Sequence, residues 1–95
     1  MANFIVRIEL YNADYDDYET LHKRMEGIKF YRYIMFSNGK NHDLPNGTYF
    51  GKRDLTTYQL LSEVKRVAKP LSKSKDPSIF LCSFNDWNAS LYPSK

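Results

Sequence analysis

The 95-residue chain holds one cysteine, four glycines and four prolines, and its charges almost cancel, with 14 Lys and Arg against 11 Asp and Glu for a formal net charge of +3. A lone Cys82 cannot close an intrachain disulfide, which sets aside stapled secreted scaffolds and points to a reducing compartment. No apolar run approaches the ~20 residues that span a bilayer, so membrane insertion is not expected. Met1-Ala2-Asn3-Phe4 has neither a basic nor an apolar leader character, and a cytoplasmic location is expected. Nucleophile elbows, phosphate-cradling glycine loops and zinc spacings are all missing, so no cofactor or metal is called for. What the chain has in plenty is aromatic surface: 16% of its residues, eight of them Tyr. A chain of this length builds one domain, 1–95, with a tail, 86–95, that is either free or packed through Trp87.

Two-residue alternation marks the first strand. Phe4, Val6, Ile8 and Leu10 fall on one side, and Ile5, Arg7, Glu9 and Tyr11 on the other. A helix follows at about 15–26. Asp14 serves as its cap, Asp16 and Asp17 suit the positive end of its dipole, and Tyr15, Tyr18, Leu21, His22 and Met25 line one face. Gly27 is expected to stop it. Ile28 to Phe36 reads as the second strand, Ser37-Asn38-Gly39-Lys40 as a hairpin turn, and Thr48 to Gly51 as a short third strand. Thr56 and Gln59 form a capping box for a second helix that should end near Lys69, ahead of Pro70. Ser78 to Phe84 is the last strand.

Strand–helix–strand–strand–helix–strand is the ferredoxin-like order. The expected fold class is therefore α+β: a four-stranded antiparallel sheet, strands one and three central, with two helices on one face. The expected core includes Phe4, Val6, Ile8, Leu10, Leu21, Met25, Leu61, Val64, Ala68, Ile79 and Leu81.

Three segments together carry a resemblance: residues 1–10 followed by Asp17-Tyr18-Glu19-Thr20-Leu21-His22, then Phe30-Tyr31-Arg32-Tyr33-Ile34, then Leu55-Thr56-Thr57-Tyr58-Gln59-Leu60-Leu61. From residue 1 to about 85 the chain resembles the GhoS-like family, small bacterial proteins grouped with the endoribonuclease antitoxins of type V toxin–antitoxin systems. The resemblance implies a Cas2-like ferredoxin fold and cleavage of single-stranded RNA, in the founding system the toxin's messenger. Cas2-like nucleases carry an Asp after the first strand where two subunits share a divalent ion, and Asp14 is the matching position. A run of Asp there is equally what helix capping selects, and no octahedral ligand set for Mg²⁺ is visible.

Cleavage of RNA without a metal needs a base for the 2′-hydroxyl, a donor for the leaving oxygen and a cation for the phosphorane. His42, between two turns, is the candidate base or acid, ahead of His22 on the flank of the first helix. Arg32 is the candidate cation. Strict alternation puts it on the apolar side of strand two with Phe30, Ile34 and Phe36, where it must snorkel out, be re-aimed by a bulge, or grip a phosphate. The catalytic candidates are thus Arg32, His42 and Asp14. Tyr31 and Tyr33, two residues apart, with Arg7, Lys52 and Arg53, form a candidate RNA-binding surface of stacking rings among cations. The same aromatics also suit sheet packing or a homodimer joined through the sheet. A non-catalytic interaction module is the alternative to an RNA-directed enzyme.

A net charge of only +3 limits any polyanion affinity. With ~3–4 phosphates neutralised at once, the log–log salt slope for single-stranded RNA should be about −2 to −3. Binding titrations at graded salt measure it, and a slope near zero would mark the basic residues as solvated surface.

Overall fold

Alternation of Phe4, Val6 and Ile8 with Ile5, Arg7 and Glu9 gives β1 (Ala2–Glu9) one face that is buried from Phe4 to Ile8, and the chain builds outwards from it. In the computed structural model, which describes all 95 residues, there follow α1 (Tyr15–Gly27), β2 (Tyr33–Met35), β3 (Asn41–Asp43), β4 (Thr48–Arg53), α2 (Thr57–Ala68) and β5 (Ser78–Phe84). β1 is central in a three-stranded antiparallel sheet of order β4-β1-β5, where Val6 faces Tyr49 on one side and Leu81 on the other. β2 and β3 form a separate antiparallel pair, with Ile34 opposite His42. The protein is α+β, with two helices and antiparallel sheets. No helix is long and apolar enough to cross a membrane.

Both helices start at reciprocal caps, Asp14 with Asp17 and Thr56 with Gln59. Leu21 and Met25 of α1 and Leu60, Val64 and Ala68 of α2 close over Phe4, Val6, Ile8, Leu10 and Tyr49. Of the expected core residues, Ile79 and Leu81 are only half-buried against this cluster, and Leu61 is displaced from it. Leu61 is half-exposed, and its neighbour Leu60 is fully buried instead, in phase with Val64 and Ala68 at four-residue intervals.

The single four-stranded sheet does not form, because the expected second strand is broken. Its first residues close α1. Lys29 adopts φ +71°, its N–H donates to the Glu26 carbonyl, and the Phe30 N–H donates to the Met25 carbonyl. This is the left-handed closing turn expected at Gly27, moved two residues on and made by a lysine. Tyr31 then makes one isolated bridge to Phe50 on the outer edge of β4, with paired bonds of 2.9 and 2.8 Å. At Arg32 the chain bends away, and only Tyr33–Met35 remain extended, now paired with β3. β3 itself was not expected.

The hairpin turn forms as a three-residue loop in which Gly39 alone has positive φ, at +81°, and the Lys40 N–H donates to Asn38 Oδ1. The tail packs. Trp87 meets Phe36 edge-on at 5.7 Å, Pro93 bridges to His42, and the Ser94 hydroxyl donates to Asp43 at 2.6 Å.

Leu60 and Leu61 separate the two phases of α2 in a single experiment. Leu60→Ala should lower stability by about 2–5 kcal/mol. Leu61→Ala should cost clearly less, since it removes less buried surface. Chemical denaturation of both variants reads the difference, and equal losses would mean that α2 is rotated.

Candidate functional site

β4 begins opposite Arg7, so the last residues of β1 have no strand on that side. The Ile8 N–H donates instead to the Gly47 carbonyl at 2.8 Å, and the loop through Asn46 turns away beyond it. Gly47 has φ +77°, and a Cβ there would lie 2.7 Å from the Ile8 carbonyl oxygen, so the close approach requires glycine. The gap left beside β1 is a cleft of about 620 Å³.

Its floor is Arg7, Ile8 and Glu9, and its far rim is Asn46 and Gly47. One wall is the outer face of α1, where Tyr15, Tyr18, Glu19 and His22 stand at helical spacings of three and four. Arg32 closes the opening from the bend before β2. The Tyr18 hydroxyl donates to the Leu10 carbonyl at 3.3 Å and accepts from the Leu10 N–H at 3.0 Å, which pins α1 to the end of β1.

The polar groups are unevenly wet. His22 is half-buried, and its Nδ1 shares a 2.7 Å hydrogen bond with the hydroxyl of fully buried Tyr49. Burial, and then the Arg32 guanidinium nearby, hold His22 below the ordinary imidazole value, so it is neutral at pH 7. Burial pushes the Tyr49 phenol up, out of the physiological range. The Tyr15 hydroxyl beside Glu19 holds that carboxyl below its usual value and keeps it ionised, while Glu19 in turn raises Tyr15. Arg32 is exposed and in no ion pair; the two the protein makes are Arg53–Glu63 and Lys73–Asp17. The cleft thus holds a free guanidinium, an ionised carboxylate and a neutral imidazole together.

Of the expected catalytic residues, only Arg32 lies here, re-aimed by the bend at the end of the broken strand. His42 is 7% exposed, stacked on Phe36 with centroids 3.7 Å apart, and its Nδ1 lies 3.2 Å from the Lys40 carbonyl. It is a packing residue of the hairpin. Asp14 is occupied by the cap of α1. Arg7 of the expected RNA-binding set lines the cleft floor. Tyr31 and Tyr33 stack on each other at 5.4 Å, next to Arg32 in sequence. Lys52 lies in a separate depression between the sheet and the hairpin, with Phe50 and Trp87. Arg53 is structural: it donates to the Ile28 carbonyl at 2.9 Å and pairs with Glu63 at 3.3 Å.

Glu19, Tyr15 and Tyr18 line the cleft but are absent from the expected site, and His22, which the sequence ranks behind His42, lies in the cleft where His42 does not. Their spacing was visible, but the stripe was absorbed into the buried face of α1. The signal inside it was the polar atoms of Tyr15, Tyr18 and His22, three on a face whose buried members are only Leu21 and Met25, with Glu19 beside them. No protein-family model matches the chain, and no curated protein matches it.

The depressed His22 value fixes the sign of a stability effect. The folded state releases the imidazole proton more readily than the unfolded chain, so the unfolded chain binds more protons between the two values. Stability should therefore fall as pH drops below about 6.5, and His22→Gln should flatten that part of the profile. Denaturation midpoints from pH 8 to 5 test it, and an unchanged profile in the variant would refute it.

Proposed function

We propose that this is an RNA-directed protein on a ferredoxin-like plan whose cleft cleaves single-stranded RNA, the activity implied by its resemblance to the GhoS-like endoribonuclease antitoxins. One observation carries the reading: unpaired Arg32, ionised Glu19 and neutral His22 converge on one cleft. The ferredoxin-like part is supported by the strand order β4-β1-β5, with Tyr31 bridging the free edge of β4 where a second strand would lie.

RNA carries its own nucleophile, so the protein has to move protons and hold charge. Glu19 accepts the 2′-hydroxyl proton, O2′ attacks the adjacent phosphorus, and the P–O5′ bond breaks. O5′ leaves with a proton from water at the cleft mouth, giving a 2′,3′-cyclic phosphate and a 5′-hydroxyl. The planar fork of Arg32 and the His22 ring face the charge that grows on the non-bridging oxygens. DNA, lacking the 2′-hydroxyl, passes uncut. In a toxin–antitoxin setting the substrate would be the toxin's messenger.

A second reading, an interaction module, is favoured by a different surface. Tyr58 and Phe80, 81% and 68% exposed, flank an apolar groove with Leu61, Ile79 and Leu81 beside the edge strand β5.

Mixed-sequence single-stranded RNA and the matching DNA, incubated with the protein in the presence and absence of EDTA, separate these readings. The expected result is cyclic-phosphate fragments from RNA and intact DNA. Arg32→Lys keeps the charge, loses the fork and touches no packed group. It should lower the cleavage rate roughly tenfold or more, ~1.4 kcal/mol of transition-state stabilisation, with the melting temperature nearly unchanged. Glu19→Gln should do the same. RNA bound but uncut would reduce the protein to a binder, and RNA neither bound nor cut would favour the interaction module.

A further inference from the structure

Tyr49 is 0% exposed, and the only hydrogen-bond partner of its hydroxyl is Nδ1 of His22, 2.7 Å away. A phenol hydroxyl has one proton to give and lone pairs to receive. Were the imidazole to donate from Nδ1, the phenol proton would be left buried with no acceptor, which is the expensive way to leave a polar group. With the polarity reversed, Tyr49 donates to Nδ1 and only lone pairs go unfilled. A neutral imidazole that accepts at Nδ1 carries its own proton on Nε2.

We infer that Tyr49 is a positioning residue that holds His22 in its Nε2–H tautomer, so that His22 enters the cleft as a neutral hydrogen-bond donor to an anionic oxygen and not as a base. The ligand chemistry follows from the neighbours. The Nε2–H of His22 and the guanidinium of Arg32 present donors to one cleft, a pair that fits the non-bridging oxygens of a phosphodiester. That choice of ligand rests on the RNA reading; the tautomer does not.

The charged groups around the ring are Glu19 and Glu26 on its own helix and Arg32 from the bend, with Tyr49 from β4 behind it. None of the carboxylates reaches Nδ1, where a competing acceptor would favour the other tautomer. Protonation of His22 would turn Nδ1 into a donor aimed at the phenol oxygen and strand the phenol proton.

Long-range ¹H–¹⁵N correlation spectra of the full chain above pH 7.5 decide the matter, because the chain has only two histidines and His42→Gln assigns them. The expected result is a proton on Nε2 of His22 and a pyridine-like Nδ1. A proton on Nδ1 would overturn the inference. In Tyr49→Phe, which keeps the buried ring, the His22 signals should move towards an average of both tautomers while those of His42 stay put. A variant that retains the pure Nε2–H form would remove Tyr49 from the role. If Tyr49→Phe does not fold, the wild-type spectrum still decides the tautomer. The spectrum is also independent of catalysis: an Nε2–H His22 with uncut RNA would sink the ribonuclease reading alone, and cut RNA with an Nδ1–H His22 would sink this inference alone.

Discussion

A Cβ at Gly51 would lie 2.5 Å from the Lys29 carbonyl oxygen and 2.8 Å from the Phe30 ring, so only glycine lets the turn that closes α1 settle onto β4. Much of the molecule follows from that contact. With the turn seated, Phe30 is buried in the core and the Ile28 carbonyl is within reach of Arg53, which binds it and Glu63 together. Tyr31 is left beside Phe50 with room for a single bridge. The chain must then turn off the sheet, and the residue at that bend is Arg32. The strain of a left-handed lysine at 29 is small, about 1–2 kcal/mol, against a fully buried phenylalanine.

The bend explains why Arg32 can be a free cation without being a buried one. In a continuous strand it would share a face with Phe30 and Ile34, both buried here, and would need a partner there. At the bend it is exposed, and its guanidinium still lies close enough to His22, Glu19 and Tyr15 to shift their titration. On the α1 side of the cleft the charges balance, Arg32 against Glu19. Attraction for an anion there is local, set by which side chains face each other and not by a broad positive field.

What was legible in the sequence was what local rules decide. The alternation of Phe4, Val6 and Ile8, the caps at Asp14 and Thr56, and the strand at Ser78 to Phe84 all stand as expected. The second strand was illegible because tertiary packing overrode it: β-propensity favours Ile28 to Phe36, but the seat on Gly51 needs the first of those residues for a turn. The site failed for a related reason. His42 sits between turn signals and looked exposed, yet the tail folds back and Pro93 pairs with it, a contact spanning about half the chain that no local pattern records. His22 shares a helical stripe with Leu21 and Met25, which are core, and local pattern places it only on the flank of that face, behind His42 as a candidate. Only the position of Tyr49 across the sheet shows that the polar half of that stripe faces a cleft.

Core and cleft meet at the Tyr49 ring. Its ring belongs to the same buried cluster as Phe4, Val6 and Leu21, while its one polar atom looks outward to His22. A low dielectric makes such a bond stronger when made and its absence more costly, so the packing of the ring also fixes the imidazole. His22 is held in turn by a helix anchored at both ends of this wall, by Tyr18 on Leu10 and by the turn seated on Gly51. Rigidity at the cleft is therefore inherited from the core. Any change that loosens Tyr49 should be felt at His22 before it is felt at Arg32, whose side chain makes no hydrogen bond or ion pair and whose backbone carbonyl is held by the Leu44 N–H at 2.8 Å.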